Sequence, residues 1–456
     1  MFGGSVKRIH LVGIGGSGMS GIAEVLLGHH FNVSGSDVRS SDVTAYLHGK
    51  GAQIFLGHHA EYVDGADVVV FSSAVSQTNP ELEHARSLAI PVIPRAEMLA
   101  ELMRLKEGIA IAGSHGKTTT TSLIATVLRA AGLDPTVIIG GRLNALGSSA
   151  NLGEGDIMIA EADESDGSFL RLSPRVAVIT NIDTEHLDHY GDYQGVKQAF
   201  TQFANGVPFY GTVVACLDHP GVQSILPEID KRVVTYGLTA QADYRARSIE
   251  VEGLSMRFEV ERHGESLGEY IVRMPGLHNV LNALATIAVA DVADVDRSTL
   301  KEALRTFAGV ARRFTVVGEK RGITVIDDYG HHPAEIRATL EAAQRAYARR
   351  VMVIFQPHRY TRTRDVFEDL TQAFNAADVL WVTDIYAAGE TPIDGLNAEV
   401  LVNAIRAHGH RDVSYLPLSV DYPATIVERL EPGDVVITLG AGNITRLGPE
   451  ILQSLS

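Results

Sequence analysis

Short apolar segments alternate with amphipathic helical patterns along most of this chain. The first apolar segment covers residues 9–12 and runs into a glycine-rich turn. After the turn, apolar residues recur at i, i+3, i+4, i+7 and i+8, the spacing of a helix with one buried face; they are Met19, Ile22, Ala23, Leu26 and Leu27. A strand, a turn and a helix, repeated many times, predict βαβ units and a parallel sheet.

A strand-and-helix series of this kind begins three times, near residues 9, 109 and 314. From residue 244 to residue 274 polar and apolar positions alternate instead, which predicts antiparallel strands with one exposed face. A helix rich in Leu and Ala follows at about residues 279–292. We therefore predict an α/β protein with three domains, at residues 1–106, 107–311 and 312–456, the first of which ends in a helix at about residues 97–106.

The composition narrows the class of protein. The chain has 456 residues, of which 45% are hydrophobic and 21% charged, the balance of an ordinary globular protein. The formal net charge of −16 argues against a nucleic-acid-binding protein. Cys216 is the single cysteine, no apolar stretch approaches a membrane span, and the first residues lack the apolar segment of a secretory signal. We expect a cytoplasmic enzyme that binds neither nucleic acid nor membrane.

The turn after the first strand reads Gly-Ile-Gly-Gly-Ser-Gly over residues 13–18, which matches G-x-G-x-x-G. Small residues at a helix N-terminus let backbone N–H groups approach a pyrophosphate. Asp37 follows the second predicted strand, where a carboxylate can accept a hydrogen bond from a ribose hydroxyl. The pattern fits a dinucleotide cofactor and a UDP-sugar equally, and a tight turn without a ligand is a third interpretation.

A second glycine-rich loop, at residues 112–120, is the strongest single signal. It reads Ala-Gly-Ser-His-Gly-Lys-Thr-Thr-Thr and links a predicted strand to a helix. Loop N–H groups and the helix dipole can hold phosphates, Lys117 can reach the β and γ oxygens, and Thr118 can bind Mg²⁺. The first glycine of G-x-x-x-x-G-K-[ST] falls at Ile111, so the loop is shorter than that motif. The alternative is an ordinary helix start with a surface lysine.

Acidic residues cluster after two further predicted strands of the middle segment. Residues 161–166 read Glu-Ala-Asp-Glu-Ser-Asp, and residues 180–188 read Thr-Asn-Ile-Asp-Thr-Glu-His-Leu-Asp. Carboxylates crowded at a strand end repel one another unless a cation lies among them, and Mg²⁺ prefers oxygen ligands. We expect Glu161 and His186 to take part in a metal site. A solvated acidic loop is the alternative.

Taken together, these segments resemble the Mur ligase superfamily, and the resemblance spans nearly the whole chain. It rests on eight motifs in order, at residues 13–21, 113–120, 161–166, 180–188, 276–283, 312–314, 327–333 and 356–363. The shortened phosphate loop is the form that this family uses. The resemblance implies a Rossmann-like N-terminal domain that binds UDP, a P-loop ATPase-like central domain with a small antiparallel sheet, and a Rossmann-like C-terminal domain that completes the ATP and amino-acid site.

The activity implied by the resemblance is that of an ATP-dependent acid–amino-acid ligase. The most similar branch joins L-alanine to the lactyl carboxylate of UDP-N-acetylmuramate through an acyl phosphate, giving ADP and phosphate. That step is the first amino-acid addition in peptidoglycan precursor synthesis, which serves the cell wall, cell shape and cell division. The implied cofactors are ATP and Mg²⁺, the implied substrates are UDP-N-acetylmuramate and L-alanine, and we expect a monomer or homodimer.

The resemblance also implies roles for single residues. The expected catalytic residues are Lys117, Glu161, His186 and Arg313, and the expected Mg²⁺ ligands are Thr118, Glu161 and His186. The expected ATP-binding residues are Gly113, Ser114, His115, Gly116, Lys117, Thr118, Thr119, Asn279, Asn282, Arg313 and Asp328. The expected substrate-binding residues are Gly15, Gly16, Ser17, Gly18, Met19, Asp37, Ser72, Ser73, Tyr329, His331, His358, Arg359 and Arg362.

Side-chain chemistry supports two of these groups. Asn279 and Asn282 share a helix face, and their amides can read an adenine edge; a helix cap and a buried polar residue are the alternative. The cationic segment 356–363 suits carboxylates, because a guanidinium presents a two-pronged donor; a solvated basic loop is the alternative. Tyr329, His331 and His332 are expected near the acyl acceptor or, alternatively, in structural hydrogen bonds.

Three other functions remain open at this point. A sister ligase joins a murein tripeptide to the same sugar nucleotide. A nicotinamide-dependent dehydrogenase needs only the first glycine-rich turn, and leaves Lys117 and the acidic segments unexplained. A nucleotide-sensing module without catalysis is the third. Several superfamily members carry a modified lysine downstream of the histidine motif, where this chain has Lys197; the sequence does not decide whether it is modified.

Overall fold

The computed structural model of the chain describes residues 6–72, 74–139 and 150–455. The chain forms two compact units, of which the first comprises Met1–Arg247, Glu259–Tyr270 and Leu281–Ala308 and the second comprises Ser248–Phe258, Ile271–Val280 and Gly309–Ser456. Among the described residues, no helix is both long enough and apolar enough to cross a membrane.

The N-terminal part of the first unit is a parallel α/β sheet. Its elements are β1 (Arg8–Val12), α1 (Ser17–Gly28), β2 (Asn32–Asp37), α2 (Asp42–Gly49), β3 (Gln53–Leu56), β4 (Val68–Phe71), α3 (Pro80–Ser87), β5 (Val92–Pro94) and α4 (Arg95–Met103). The five strands lie in the order β3-β2-β1-β4-β5 and are all parallel. The chain moves outward from β1 in both directions, so the turn after β1 lies at the switch point where such sheets bind ligands.

The predicted amphipathic face of α1 is confirmed. Met19, Ile22, Ala23 and Leu26 are each at most 1% exposed, whereas Leu27, the fifth predicted position, is partly exposed; Ser20 and Val25 are buried as well. The four buried side chains of the predicted face join Ile9 and Leu11 of β1 in one apolar core that continues into the central sheet of the same unit. Burial of that face is what turns the weak sequence period into a stable helix.

The central part, as far as its residues are described, carries ten strands. Its elements are β6 (Glu107–Ala112), α5 (Lys117–Ala130), β7 (Thr136–Ile138), β8 (Ala150–Asn151), β9 (Ile157–Glu161), β10 (Val176–Ile179), α6 (Leu187–Tyr190), α7 (Tyr193–Asn205), β11 (Thr212–Cys216), α8 (Pro220–Ile225), β12 (Val233–Gly237), β13 (Tyr244–Glu252), β14 (Ser255–Arg262), β15 (Glu265–Val272), α9 (Leu277–Val292) and α10 (Arg297–Arg305). The sheet order is β15-β14-β13-β12-β11-β10-β6-β9-β7-β8.

Strand β6 lies between β10 and β9 and is parallel to both. The carboxyl ends of these three strands therefore meet at one edge of the sheet, where the loop that leads into α5 begins. At the other side of the sheet, β13, β14 and β15 are sheet neighbours joined by two-residue links at 253–254 and 263–264. Such short links require antiparallel neighbours, as the alternation of residues 244–274 predicts.

The C-terminal part of the second unit is a six-stranded sheet. Its elements are β16 (Thr315–Lys320), β17 (Ile323–Asp328), α11 (Pro333–Tyr347), β18 (Val351–Phe355), α12 (Tyr360–Asp365), α13 (Phe367–Thr371), β19 (Val379–Thr383), α14 (Ala398–Ala407), β20 (Val413–Leu416), α15 (Tyr422–Val427), β21 (Val435–Leu439) and α16 (Leu447–Ser454). The order is β16-β17-β21-β18-β19-β20, with only the β16–β17 pair antiparallel. Apolar residues cover both faces of this sheet.

The predicted α/β class with its parallel sheets and one small antiparallel region is confirmed. The helix predicted to end the first domain begins at Arg95 and ends at Met103. The domain boundaries at 106/107 and 311/312 stay predictions, since the first compact unit contains both the N-terminal sheet and most of the central one.

Candidate functional site

The loop between β6 and α5 is shaped by two glycines with positive φ. Gly113 has φ 136°, and a Cβ there would lie 2.0 Å from Thr180 Oγ1. Gly116 has φ 83°, and a Cβ there would lie 2.8 Å from Asn282 Oδ1. Both positions combine a backbone conformation that favours glycine with a neighbour that excludes a side chain. The sequence Gly-Ser-His-Gly therefore builds a tight loop whose backbone is open to a ligand at the N-terminus of α5.

Lys117 is the first residue of α5, and its ammonium group turns back over the loop. Nζ donates to the carbonyl of Gly113 at 2.6 Å and to both carboxylate oxygens of Glu164 at 2.7 and 2.8 Å. Burial lowers the pKa of Lys117, but the Glu164 carboxylate outweighs burial, so that the pKa lies above its usual value. The lysine is therefore a fixed positive charge at the mouth of the loop.

The segment after β10 holds the loop from the other side. Asn181 Oδ1 accepts from the His115 N–H at 2.7 Å, and Asn181 Nδ2 donates to the His115 carbonyl at 3.0 Å. The Asp183 N–H donates to Ser114 Oγ at 2.9 Å, and Asp183 contacts the rings of His115 and His219 at 3.0 and 3.2 Å. Burial opposes ionisation, yet these two rings hold the pKa of Asp183 well below its usual range. The loop is thus fixed by side chains as well as by its glycines.

Carboxylates and one imidazole gather beside Lys117. Glu161 ends β9, and Glu164, Glu185 and His186 offer ligand atoms within 4.8 Å of one another. Glu164 is almost fully buried, and its Oε1 lies 4.0 Å from His186 Nε2. Two carboxylates and an imidazole in this spacing fit a divalent cation, because only cations make such crowding of negative charge favourable. This group therefore fits the expected Mg²⁺; of the three expected ligands it contains His186 but not Thr118 or Glu161.

Four other residues expected at the nucleotide lie on α5 and α9. Thr118 is partly exposed and Thr119 is buried in the first turn of α5. Asn282 accepts from Thr120 Oγ1 at 3.1 Å, which ties α9 to α5 directly behind the loop. In the second unit, Asn279 Nδ2 donates to the Pro275 carbonyl at 2.7 Å and lies 3.0 Å from a ring nitrogen of His278.

The N-terminal glycine-rich turn is held by β2. The Gly15 N–H donates to Asp37 Oδ2 at 2.9 Å, and a Cβ on Gly15 would lie 2.8 Å from the same oxygen. Gly13 has φ 80°, and a Cβ there would lie 3.3 Å from Ser72 Cβ. The carboxylate that the sequence assigns to a ribose hydroxyl therefore also fixes the turn. Ser73 and the side chain of Ser17, two other expected substrate contacts, lie outside the described residues.

One cavity connects this turn to the phosphate loop. It has a volume of about 320 Å³ and is lined by Gly16 and Gly18 of the turn, by Lys117 of the phosphate loop, and by Met19, Ser72 and Glu161. Arg95 and Asp163 also line it, and their charged atoms lie 3.6 Å apart. A Cβ on Gly18 would lie 3.0 Å from Arg95 Nη1, so the glycine gives the guanidinium its place. Two predicted ligand loops and two cations thus face one space.

In the second unit, the expected residues lie at and after the carboxyl end of β17 and just before β16. Asp328 accepts from the N–H groups of Phe314 and Gly330 at 2.7 and 2.8 Å. Burial raises the pKa of Asp328 to about 6, against the opposing charge of Arg313. The guanidinium of Arg313 lies 3.3 Å from Glu335 and 5.2 Å from the centre of the Tyr329 ring. Phe314 has φ 49°, an unusual conformation of the kind that concentrates at functional sites.

The basic side chains of the segment after β18 have different partners, and not all of them are positively charged at neutral pH. His358 stacks on Tyr386 at 5.5 Å between ring centres, and its Nδ1 lies 3.2 Å from Arg362 Nη1. Burial, with the charge of Arg362, lowers the pKa of His358 to about 4. Arg359 is held by Glu390, whose Oε1 accepts from its Nε at 2.6 Å. The ring of His331 lies 6.2 Å from that of His358, so these expected substrate contacts do cluster.

Sequence reasoning missed four residues of the first unit: Arg95, Glu164, Asp183 and Glu185. Glu164 belongs to a segment of four acids, and only the fold shows which of them faces Lys117. Arg95 stands far from any glycine motif in the chain and enters the cavity because α4 begins beside α1. A signal for Asp183 existed in the run of polar residues directly after β10, at the sheet edge where ligands bind.

Comparison with known proteins agrees with this geometry. Residues 8–107 match the Mur ligase family catalytic domain, residues 111–290 the Mur ligase middle domain, and residues 312–442 the Mur ligase glutamate ligase domain. A UDP-N-acetylmuramate–L-alanine ligase of Sorangium cellulosum is 62% identical over 97% of this chain and 95% of its own length.

Solved structures give the same picture. The UDP-N-acetylmuramate–alanine ligase of Thermotoga maritima superposes with a TM-score of 0.82 at 30% identity, and covers 98% of both chains. A murein peptide ligase of Psychrobacter arcticus superposes with a TM-score of 0.72 at 26% identity, again over 98% of both chains. Because the domain matches and the relatives cover most of its length, the chain belongs to the Mur ligase family.

Proposed function

We propose that this protein uses ATP to join L-alanine to the lactyl carboxylate of UDP-N-acetylmuramate. The observation that carries the proposal is the cavity shared by the N-terminal glycine-rich turn and the phosphate loop, because a ligase of this kind must bring a sugar-borne acid to a γ-phosphate. The relative from Sorangium cellulosum, which is named for this reaction, supports the choice of substrates. The murein peptide ligase of Psychrobacter arcticus is less similar, at 26% identity.

The reaction proceeds in two balanced steps. An oxygen of the lactyl carboxylate attacks the γ-phosphorus of ATP, the bond to the β–γ bridging oxygen breaks, and ADP leaves. The amine of L-alanine then attacks the carbonyl of the acyl phosphate, phosphate leaves with the former carboxylate oxygen, and the nitrogen loses a proton. Activation is required because the oxygen of a free carboxylate is a poor leaving group.

Lys117 and the loop amides are proposed to hold the β- and γ-phosphates. Transfer of a phosphoryl group depends mainly on position and on charge stabilisation, and Lys117 offers a fixed charge for both. In the structure the Glu164 carboxylate contacts the ammonium group of Lys117, where the proposal places a phosphate oxygen. Thr118, Glu161 and His186 are proposed to hold Mg²⁺ together with Glu164 and Glu185, and the ion would neutralise charge on the phosphates.

Arg95 is proposed to bind UDP-N-acetylmuramate, the substrate that accepts the phosphoryl group. Its guanidinium borders Gly18 of the N-terminal turn and reaches the same cavity as Lys117. A guanidinium binds both phosphates and carboxylates with two parallel hydrogen bonds, so it suits an anionic substrate that spans the two loops. The roles assigned above to Arg313 and Asp328 at the nucleotide, and to His358, Arg359 and Arg362 at substrate carboxylates, stay predictions. So do a cytoplasmic location and a monomeric or dimeric state.

The proposal is tested by phosphate release from purified protein with ATP, Mg²⁺ and UDP-N-acetylmuramate. We expect turnover with L-alanine and little with a murein tripeptide or with no amine. A preference for the tripeptide would assign the chain to the sister reaction, and hydride transfer from a nicotinamide cofactor would remove the proposal altogether. With ¹⁸O in the lactyl carboxylate, one labelled oxygen should appear in each phosphate released; unlabelled phosphate would contradict the acyl-phosphate route.

A further inference from the structure

A fully buried carboxylate lies outside the catalytic cavity, in the N-terminal sheet. Glu81, in the first turn of α3, has no exposed side-chain surface, and its own N–H donates to the cap residue Asn79 at 2.9 Å. Taking a carboxylate out of water costs several kcal/mol unless hydrogen bonds and charges satisfy it. An acid in the first turn of a helix is usually a surface residue that favours the helix dipole, so its burial here requires another explanation.

Three donors surround this carboxylate. His10 Nε2 of β1 lies 2.6 Å from Oε2, Ser36 Oγ of β2 donates to the same oxygen at 2.9 Å, and His58 Nδ1 lies 2.6 Å from Oε1. His10 Nδ1 lies 2.9 Å from Ser34 Oγ, a second contact that holds the ring in place. Burial opposes ionisation, but the bonds from His10 and Ser36 keep the pKa of Glu81 below its usual value.

The same strand that donates to Glu81 also holds the glycine-rich turn. The carbonyl of Ser36 accepts from the N–H groups of Gly13 and Ile14 at 2.9 and 3.0 Å. The next residue, Asp37, accepts from the Gly15 N–H at 2.9 Å. The end of β2 therefore fixes the first three residues of the turn, and the amides that follow at the N-terminus of α1 take their direction from it.

We propose that Glu81 is a positioning residue for the UDP-sugar: it anchors the end of β2 through Ser36, and β2 in turn sets the glycine-rich turn that receives the pyrophosphate. The inference rests on the proposed function for its substrate. It extends the site to a carboxylate that never touches the ligand. Four elements meet at this one group, namely β1, β2, α3 and the segment after β3, so a change at Glu81 releases them together.

The test compares E81Q with E83Q. Both residues lie on α3, but Glu83 is exposed, so E83Q makes the same chemical change without touching the network. Glutamine keeps the volume of Glu81 but has a single acceptor oxygen and two amide hydrogens that oppose the donors. We expect the KM for UDP-N-acetylmuramate to rise roughly tenfold in E81Q, the size that loss of an outer ligand-orienting partner typically has. The KM for ATP should stay within about twofold.

Several results decide the inference. A folded E81Q that behaves like E83Q would overturn it, as would an equal rise in both KM values or a fall in kcat alone, since those outcomes describe a general structural role. If E81Q does not fold, H58N carries the same test, because His58 is 19% exposed and contributes one bond to the carboxylate. Calorimetric titration with UDP alone separates this inference from the proposed function: weaker UDP binding by E81Q supports the positioning role even if the wild-type protein forms no amide bond.

Discussion

Replacing Gly113 by alanine should disable the phosphate loop while leaving the fold intact. At φ 136° an added Cβ would lie 2.0 Å from Thr180 Oγ1 and 3.1 Å from the backbone N and O of Asn181, whereas ordinary contact begins at 3.4 Å. The difference between 3.4 and 2.0 Å is 1.4 Å, which bond stretching cannot accommodate, so the loop or the end of β10 must move. Thr180 cannot turn away freely, because its hydroxyl donates to the His115 carbonyl at 2.6 Å.

The expected cost follows from that displacement. A misplacement of about 1 Å in a reacting geometry lowers rates by roughly 10²-fold, which corresponds to about 2.7 kcal/mol of barrier. We therefore expect kcat/KM for ATP to fall by about two orders of magnitude in G113A. Backbone strain from a non-glycine residue at positive φ adds about 1–3 kcal/mol of destabilisation, visible in a denaturant titration.

Gly132 supplies the matched control. It follows α5 with φ 75°, and a Cβ there would meet nothing within 4 Å. G132A therefore has backbone strain without the collision, and we expect lower stability with kcat/KM within about twofold of the wild type. The double variant G113A/T180A removes the obstructing hydroxyl and should recover part of the lost rate. The reasoning is refuted if G113A and G132A have equal kcat/KM, or if removal of the Thr180 hydroxyl makes G113A slower still.

Three further predictions concern charge. K117M should lose turnover completely and about 3–5 kcal/mol of stability, because it leaves the Glu164 carboxylate buried without its cation. The double variant K117M/E164Q should regain stability but no turnover. A K117M variant with wild-type turnover would contradict the phosphate-binding role. E161Q should raise the Mg²⁺ concentration for half-maximal rate about tenfold, with an unchanged melting temperature in EDTA, and an unchanged Mg²⁺ requirement would exclude Glu161 as a ligand. The pKa of His358 is about 4 in the folded protein, below the usual 6.5, so this residue contributes stability that is present above pH 6.5 and lost as the pH falls towards 4. In urea titrations, H358N should therefore lose less stability than the wild type between pH 7 and pH 4.5. Equal losses would contradict the pKa shift.

The sequence predicts the sheets well because their signal is local. The strands that begin near residues 9 and 109 are mostly apolar, as expected for a parallel sheet covered on both faces, and the buried polar exception in the first strand, His10, has Glu81 as its partner. Glycine-rich turns are equally legible, since Gly13 and Gly113 need positive φ wherever the chain folds this way. Helix ends are less so: the helix predicted at the end of the first domain stops at Met103, three residues early, because its last turn has no strong end signal.

The candidate site was harder to predict, because its residues are chosen by distances across the fold. Residues 161–166 contain four acids, and their spacing in the sequence does not distinguish which of them contacts Lys117 or the metal. The fold places Glu164 on Lys117 and aims Asp163 at Arg95 instead. Which acid meets which cation depends on how the loop turns after β9, and that turn is set by contacts with α6, such as the hydroxyl of Tyr190 on the Glu164 carbonyl.

Glu81 shows the same limit from the opposite direction. In sequence it is an acid one residue after a proline in the first turn of a helix, which indicates a solvated helix start. Its partners lie 71 and 45 residues away along the chain, on strands whose histidine and serine look like ordinary alternation. The Glu81 carboxylate can join these elements only because the strand order of the sheet places β1 and β2 against α3, and that order is a property of the whole domain. Local patterns therefore identify the loops that touch a ligand, whereas the groups that hold those loops in place follow from topology.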